Sequence, residues 1–456
     1  MRQRLLFLFL AVLTCTARNV NDSQSASFDP KPWLEDFHQV LSEMSVHYAN
    51  LDWAVEDRKM DLPRLRLDTE TKLREATNAE EARRVLDKFL ASFGDGHLQI
   101  DWPKSPGPSK PAAAAPQSVC DRLGYNMRLR PGLDFASLPG FSVQNTPEEK
   151  FFPGGLLRLR SQTILGIIHI ALFSEHGYPE ICREAARNLH LEEAAACDEK
   201  CEDQVQLATG NLLTAALVRR AEALAAAGAT TLLIDITHNG GGSDWAEVPP
   251  RVLSSVPLRD PKAAFIRHEH WTKQLQERLH TAQADIKNHV GSEAHLKTEA
   301  DALEKAIEES RRPCNRAPVW DSGKLTCSLL VPTPAQTKQV SLYTYTENSK
   351  PLPLFVAVDR DTWSAAEYFA ALLQDNHAAT IFGEVTGGAG CGYTNGGIPA
   401  KLKNSGALLK MPDCVRFRAD GTNEVNGVIP DVLLPWSGHD SDFQRAKKLL
   451  AALDSR

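Results

Sequence analysis

The sequence predicts an α/β protein, and three observations carry that prediction. Two short runs, Leu232-Leu233-Ile234-Asp235-Ile236 and Leu354-Phe355-Val356-Ala357-Val358, are nearly continuous in apolar residues. They have the length of strands buried on both faces. Each run ends in a turn: the first enters Asn239-Gly240-Gly241-Gly242, the second a turn from which a helix begins near Ser364. Segments of helical spacing separate and follow these runs, the alternation expected of a sheet covered by helices.

The chain has 456 residues, 42% hydrophobic and 24% charged, enough for one large core with attachments or two to three domains. Its 51 basic and 58 acidic residues leave a net charge of -7. That balance argues against a generally cationic nucleic-acid binder, because phosphate contacts need a basic surface.

From the N-terminus, Arg2 and Arg4 precede the apolar run Leu5 to Leu13, and Thr14, Cys15, Thr16 and Ala17 supply small residues for cleavage. Residues 1–17 therefore read as a signal peptide, too short to span a membrane. The product is expected to be secreted or periplasmic, with a lipid anchor on Cys15 as the weaker alternative. The other eight cysteines are an even number, which fits disulfides in an oxidising compartment. Sequence leaves their connectivity open; Cys314 with Cys327 and Cys391 with Cys414 are local guesses. Cys197 and Cys201 lack a histidine ligand set, so a bridge is favoured over zinc.

Residues 28–93 form an N-terminal helical domain, with Trp33, Phe37, Val40 and Met44 on one face and Leu73, Val85, Phe89 and Leu90 recurring in a later run. It ends at Gly94-Asp95-Gly96-His97, before the strand-like Leu98-Gln99-Ile100. Residues 94–261 hold the first part of the core. They include a proline-rich linker over 103–118, a strand over Ile164 to Ile170, and an alanine-rich helix from Leu212 to Ala227. Residues 262–312 are highly charged, show no extended apolar face, and read as a solvated helical insertion. Residues 313–456 complete the core and close with a helix from about Ser441 to Leu453.

Candidate chemistry lies in the turns. In Asp361-Thr362-Trp363-Ser364-Ala365-Ala366-Glu367 the serine sits where a strand gives way to a helix, with its hydroxyl and the next N–H exposed. An ordinary helix cap completed by Glu367 explains the same pattern. The run Asn239 to Gly242 offers further N–H groups, with Gly241 the best candidate donor; without a Lys-Ser/Thr pair it is no phosphate loop. A serine nucleophile needs a base and a group to orient it. His97, beside a tight turn, competes for the first role with His169, His238 and His377, and Glu424 is the acidic candidate.

Four blocks resemble the tail-specific, carboxy-terminal-processing serine peptidases, and more closely their tricorn-core-like branch. Gly94-Asp95-Gly96-His97 resembles the family's histidine turn, and Leu233-Ile234-Asp235 through Gly242 its glycine block. Leu354 to Asn376 resembles the nucleophile block, continuing into Thr380 to Thr386, and Val415 to Val432 the closing segment. The blocks occur in family order between residues 94 and 432. The resemblance implies a crotonase/ClpP-like spiral core of ββα units and a Ser-His-Glu arrangement.

On that reading Ser364, His97 and Glu424 are catalytic, Gly241 and Ala365 form the oxyanion hole, and Gly240, Gly242 and Trp363 bind substrate. Trp363 and Cys391 would form an apolar specificity wall. The expected activity is that of an exported serine endopeptidase acting on a protein or peptide through an acyl-enzyme, without cofactor or metal.

The departures from the family are specific. Gly383-Glu384-Val385-Thr386-Gly387-Gly388-Ala389-Gly390 carries Ala389 where processing peptidases have a lysine base. Gly96 replaces a serine common in the tricorn-like branch, and His238 and Thr237 replace the residues usual before Asn239. The segment from His97 to Ile164 is too short and proline-rich for a PDZ domain. These departures support the alternative of a catalytically inactive hydrophobic-ligand or peptide-binding protein on the same scaffold. An esterase using the same triad is a third reading.

Overall fold

The structure, a computed structural model, describes residues 28–103, 118–193, 196–289, 293–333, 340, 342–347, 352–394 and 396–455. The expected signal peptide with Cys15, and nearly all of the proline-rich linker, lie outside the described residues.

The described strands are β1 (Gln99–Asp101), β2 (Phe141–Val143), β3 (Gly154–Arg158), β4 (Ile164–His169), β5 (Thr231–Asp235), β6 (Lys262–Ile266), β7 (Leu330–Thr333), β8 (Leu354–Val358), β9 (Thr380–Gly383), β10 (Ala400–Lys401), β11 (Leu408–Lys410), β12 (Cys414–Phe417) and β13 (Val432–Leu433). The largest sheet has the order β13-β9-β8-β5-β4-β3-β2. β4, β5, β8, β9 and β13 run parallel, each crossover stepping one strand along, and β2 and β3 add antiparallel at the edge.

Alternation along the central strands explains why both faces of this sheet are covered. Leu232, Ile234, Val356 and Val358 pack into a core with the helices Glu199–Ala226, Val248–Leu253 and Ala365–Asp375. Leu233, Ala357 and Phe382 face the other way, onto Leu449 and Leu453 of the helix Asp442–Asp454. That last helix is started by a capping box between Ser441 and Gln444.

Because β5 and β8 are parallel neighbours, pairing Asp235 with Ala357, the turns at their C-terminal ends lie side by side. This brings the glycine run and the serine turn together, at the sheet edge where α/β folds place their sites.

The helices Lys31–His47, Leu51–Glu56, Leu62–Glu75 and Ala79–Ala91 share one core with the rest of the chain. Phe37, Phe89 and Phe93 pack with Trp320, Leu402 and Leu409, so the unit is fused to the sheet β1-β11-β10. Buried Arg316 stitches this junction, donating to the carbonyls of Ser45 and Tyr48 and to Asp52.

The expected charged insertion over 262–312 differs in two respects. Its first residues form β6, paired with β12 and β7. The remainder is a hairpin of the helices Glu269–Lys287 and Glu293–Ser310 with a buried seam: Trp271 packs towards the sheet, while Leu275, Leu303, Ala306 and Ile307 pack on Val331. The seam escapes detection in sequence because long charged side chains flank it closely on both helices.

Among the described residues the disulfides are Cys120–Cys182, Cys197–Cys201, Cys314–Cys327 and Cys391–Cys414. Among the described residues, no helix is long and apolar enough to cross a membrane.

Candidate active site

Ser364 stands at the tip of the β8 turn with φ 54° and ψ -117°, a backbone conformation that a non-glycine residue adopts only under constraint. The constraint comes from the buried Glu367. Its carboxylate accepts the Ser364 N–H at 2.9 Å, the Thr386 hydroxyl at 2.6 Å, and the N–H groups of Gly388 and Ala389 at 2.7 and 2.8 Å. The residue expected to be a simple cap therefore ties the serine turn to the loop running towards Gly390.

Gly241 packs on the other side of the same turn, at φ 99°. A Cβ there would lie 2.7 Å from the Trp363 carbonyl oxygen and 2.8 Å from Ser364 Cβ, so only glycine fits. Its N–H, however, donates to Asn239 Oδ1 at 2.9 Å. Asn239 also donates to the Ile170 carbonyl at 2.8 Å, which anchors the loop to the residue just after β4. The expected oxyanion donor is thus already occupied. Gly242 lines the cavity beside Ser364, as does Ala365, whose N–H opens the helix and has no acceptor within it.

His97 faces the same cavity. Its Nδ1 lies 2.7 Å from the Ala389 carbonyl oxygen and donates to it, leaving the Nε2 lone pair for the cavity. Gly392 makes room for the ring, since a Cβ there would fall 2.8 Å from Nε2. Tyr393 packs edge-on against the ring and donates its hydroxyl to the His97 carbonyl. Burial lowers the His97 pKa below its ordinary value, partly offset by the nearby Asp95 carboxylate. Asp95 accepts from the His97 N–H at 3.0 Å, from Asn50 and from Tyr48. No hydrogen bond joins His97 to Ser364 Oγ among the described residues.

Glu424 does not hold His97. It is 1% exposed and takes both hydrogen bonds of an Arg416 fork, Nε to Oε2 at 2.9 Å and Nη2 to Oε1 at 2.7 Å. Arg416 Nη2 also reaches the Gly390 carbonyl at 3.0 Å and lies 3.5 Å from that of Ser364. The pair therefore braces the serine turn and the Ala389-bearing loop from below. The imidazole is held instead by the backbone carbonyl of Ala389.

Trp363 and Gly240 also differ from expectation. The indole lies over Gly96 and Gly387, where a Cβ would approach within 2.4 and 2.1 Å, and donates to the Arg360 carbonyl at 2.7 Å. It is 36% exposed and does not line the cavity. Gly96 is thus explained by the indole, which fills the space a serine side chain would need. Gly240 is exposed, with open space around it. Of the expected apolar wall, Cys391 does line the cavity, bridged to Cys414.

Two of the competing histidines are engaged elsewhere, and His377 is exposed and does not line the cavity. His169 lies 2.9 Å from the Asp235 carbonyl and 3.0 Å from that of Arg130, with both ring nitrogens engaged. His238, grouped with Asp359 and Asp361 in a geometry that could suit a cation, has Nδ1 3.0 Å from Asp359 and Nε2 3.0 Å from Asp442. Hydrogen bonding to Asp359 leads the shift of its pKa up to about 9. An imidazolium with both nitrogens donating has no lone pair for a metal.

The cavity holds about 560 Å³. Its walls include residues that sequence reasoning did not single out, among them Asp244, Glu247, Asp260, Tyr368 and Arg416. Asp244, Glu247 and Asp260 lie outside the motif blocks, Tyr368 and Arg416 lie within two of them at positions the motifs do not mark, and Arg416 becomes visible only through its pairing with Glu424.

Comparison with protein families matches residues 204–434 to Peptidase family S41. A protein of Chlamydia pneumoniae is 26% identical over 230 residues, which is 47% of this chain and 35% of that one. An uncharacterized protein of Chlamydia muridarum (strain MoPn / Nigg) is 25% identical over 238 residues, 49% of this chain and 38% of that one. The match thus spans little more than a third of either relative. The structure of mature CPAF complexed with lactacystin superposes with a TM-score of 0.55 at 16% identity, covering 93% of this chain and 98% of that chain.

Proposed function

The chain belongs to peptidase family S41, and from that premise we propose that it is an exported serine endopeptidase in which Ser364 is the nucleophile and His97 the base. The observation that carries this reading is the strained Ser364 turn sharing a cavity with a histidine of fixed tautomer. The four disulfides support export to an oxidising compartment.

In the proposed reaction His97 Nε2 takes the Ser364 Oγ proton as the oxygen attacks the peptide carbonyl carbon. The imidazolium keeps its Nδ1 proton on the Ala389 carbonyl. The N–H groups of Ala365 and Gly242 hold the developing oxyanion, replacing the Gly241 N–H that Asn239 occupies. Collapse expels the amine, which leaves with the proton from Nε2, and water then releases the acyl group by the same route. Glu424 contributes by holding Arg416 against the serine turn; its negative charge favours the charged imidazole and offsets part of the opposing effect of the Arg416 charge.

Labelling of the purified mature protein by a fluorophosphonate at about pH 8, read by intact mass, tests this. A single adduct is expected on wild type, none on Ser364→Ala, and slowed labelling on His97→Ala. A well-folded wild type that takes no adduct would favour the ligand-binding alternative.

A further inference from the structure

The cavity beside Ser364 has an uneven charge balance. Three carboxyl groups line it, on Asp244, Glu247 and Asp260, and one guanidinium, on Arg416. Arg416 is engaged by Glu424, and Asp260 by Arg251. Glu247 has no hydrogen-bond or ion-pair partner for its carboxyl group among the described residues. Asp244 lies one short turn before Glu247, in the segment Asp244–Glu247 that follows the glycine loop, and adds negative charge to the same wall.

We propose that this cavity receives a lysine or arginine side chain of the substrate peptide, with Glu247 as its principal counter-charge and Asp244 as a second. The inference rests on the peptidase reading and supplies its specificity. Ala246, Ala263 and Tyr368 give the walls apolar surface against which the alkyl stem of such a side chain can lie. The volume of about 560 Å³ accommodates an extended guanidinium.

Burial and the Asp244 charge, only partly offset by the Arg251 and Arg416 guanidiniums, push the Glu247 carboxyl pKa up to about 8. An arriving cation relieves both effects and restores the charged form. An apolar side chain would leave the carboxyl group desolvated without a partner, and an acidic one would add a further like charge.

The test uses the full mature chain and two probes. Fluorogenic peptide amides differing only at the residue before the scissile bond would compare Lys and Arg with Leu and Glu. p-Aminobenzamidine would be titrated against fluorophosphonate labelling and, separately, by its own fluorescence. We expect kcat/KM for Lys or Arg to exceed that for Leu by about tenfold or more. The amidine should protect Ser364 from labelling. Glu247→Gln should reduce the Lys-to-Leu selectivity ratio about tenfold and weaken amidine binding. The wild-type measurements stand by themselves if that variant does not fold.

A labelled enzyme that prefers Leu, or that the amidine does not protect, would overturn the inference and leave the peptidase reading intact. Amidine binding that depends on Glu247 in a chain that takes no label would keep the cation site and remove the catalytic reading. Failure of both labelling and amidine binding would overturn both.

Discussion

At Ser364 a strained backbone is held by interactions from both sides: Glu367 takes its N–H, and Gly241 packs against its Cβ. The serine and His97 were legible in sequence because each sits in a short block of turn residues whose order is informative. The partner of Glu424 was not, since nothing in the spacing of Arg416 and Glu424 marks a fork-shaped ion pair. Removing one member of that pair by Glu424→Ala should destabilise the fold by about 3 kcal/mol, the lower end for a buried pair, because Arg416 would lose its carboxylate while keeping the Gly390 carbonyl and its edge on the cavity. The double replacement Arg416→Met with Glu424→Leu should cost less than either single change in urea unfolding; an equal or larger cost would refute the pairing argument. At Gly96, substitution by serine should destabilise by about 1–3 kcal/mol through overpacking on the Trp363 indole. Combining it with Trp363→Ala should recover part of that loss.

Elements set the site by their order in the sheet. The apolar runs of β5 and β8 were readable because buried parallel strands carry few polar residues, and their adjacency places the two turns together. The insertion was readable as helical but not as packed, and β6 was hidden because Lys262 and two alanines dilute its apolar pattern. His238 joins three elements: its own loop after β5, Asp359 after β8, and Asp442 of the C-terminal helix. Its folded-state pKa, raised from 6.5 to about 9, gives stabilisation that is fully present below 6.5 and is lost as pH rises through about 9. Allowing for solvent screening of a partly exposed ring, the effect should be about 2 kcal/mol between those limits. Urea unfolding of wild type and His238→Gln across that range checks it. The pH-dependent component should vanish in the variant, and an unchanged profile would contradict the assignment.

On the scale of the whole molecule, the cavity forms where separate parts of the chain meet: the His97 turn after the N-terminal helices, the glycine loop, the serine turn, and the segment around the Cys391–Cys414 bridge. The α/β class and the family resemblance were legible because they depend on local pattern and motif order. The charge of the cavity was not, because Asp244, Glu247 and Asp260 acquire their meaning only by folding onto one wall. The neutral His97 that catalysis requires is favoured by burial, so labelling should fall on the acidic side only below the ordinary histidine pKa of 6.5. A rate that instead keeps rising above pH 8 would point to a different base.

Catalysis by this chain would pass through an acyl-enzyme on Ser364. The most direct measurement is intact-mass analysis of the protein quenched during turnover of an activated peptide ester, followed by mapping of the adduct. An acyl adduct of substrate mass is expected on Ser364, absent from Ser364→Ala and accumulating more slowly in His97→Ala. Turnover that persists in Ser364→Ala, or an adduct mapped to another residue, would contradict it.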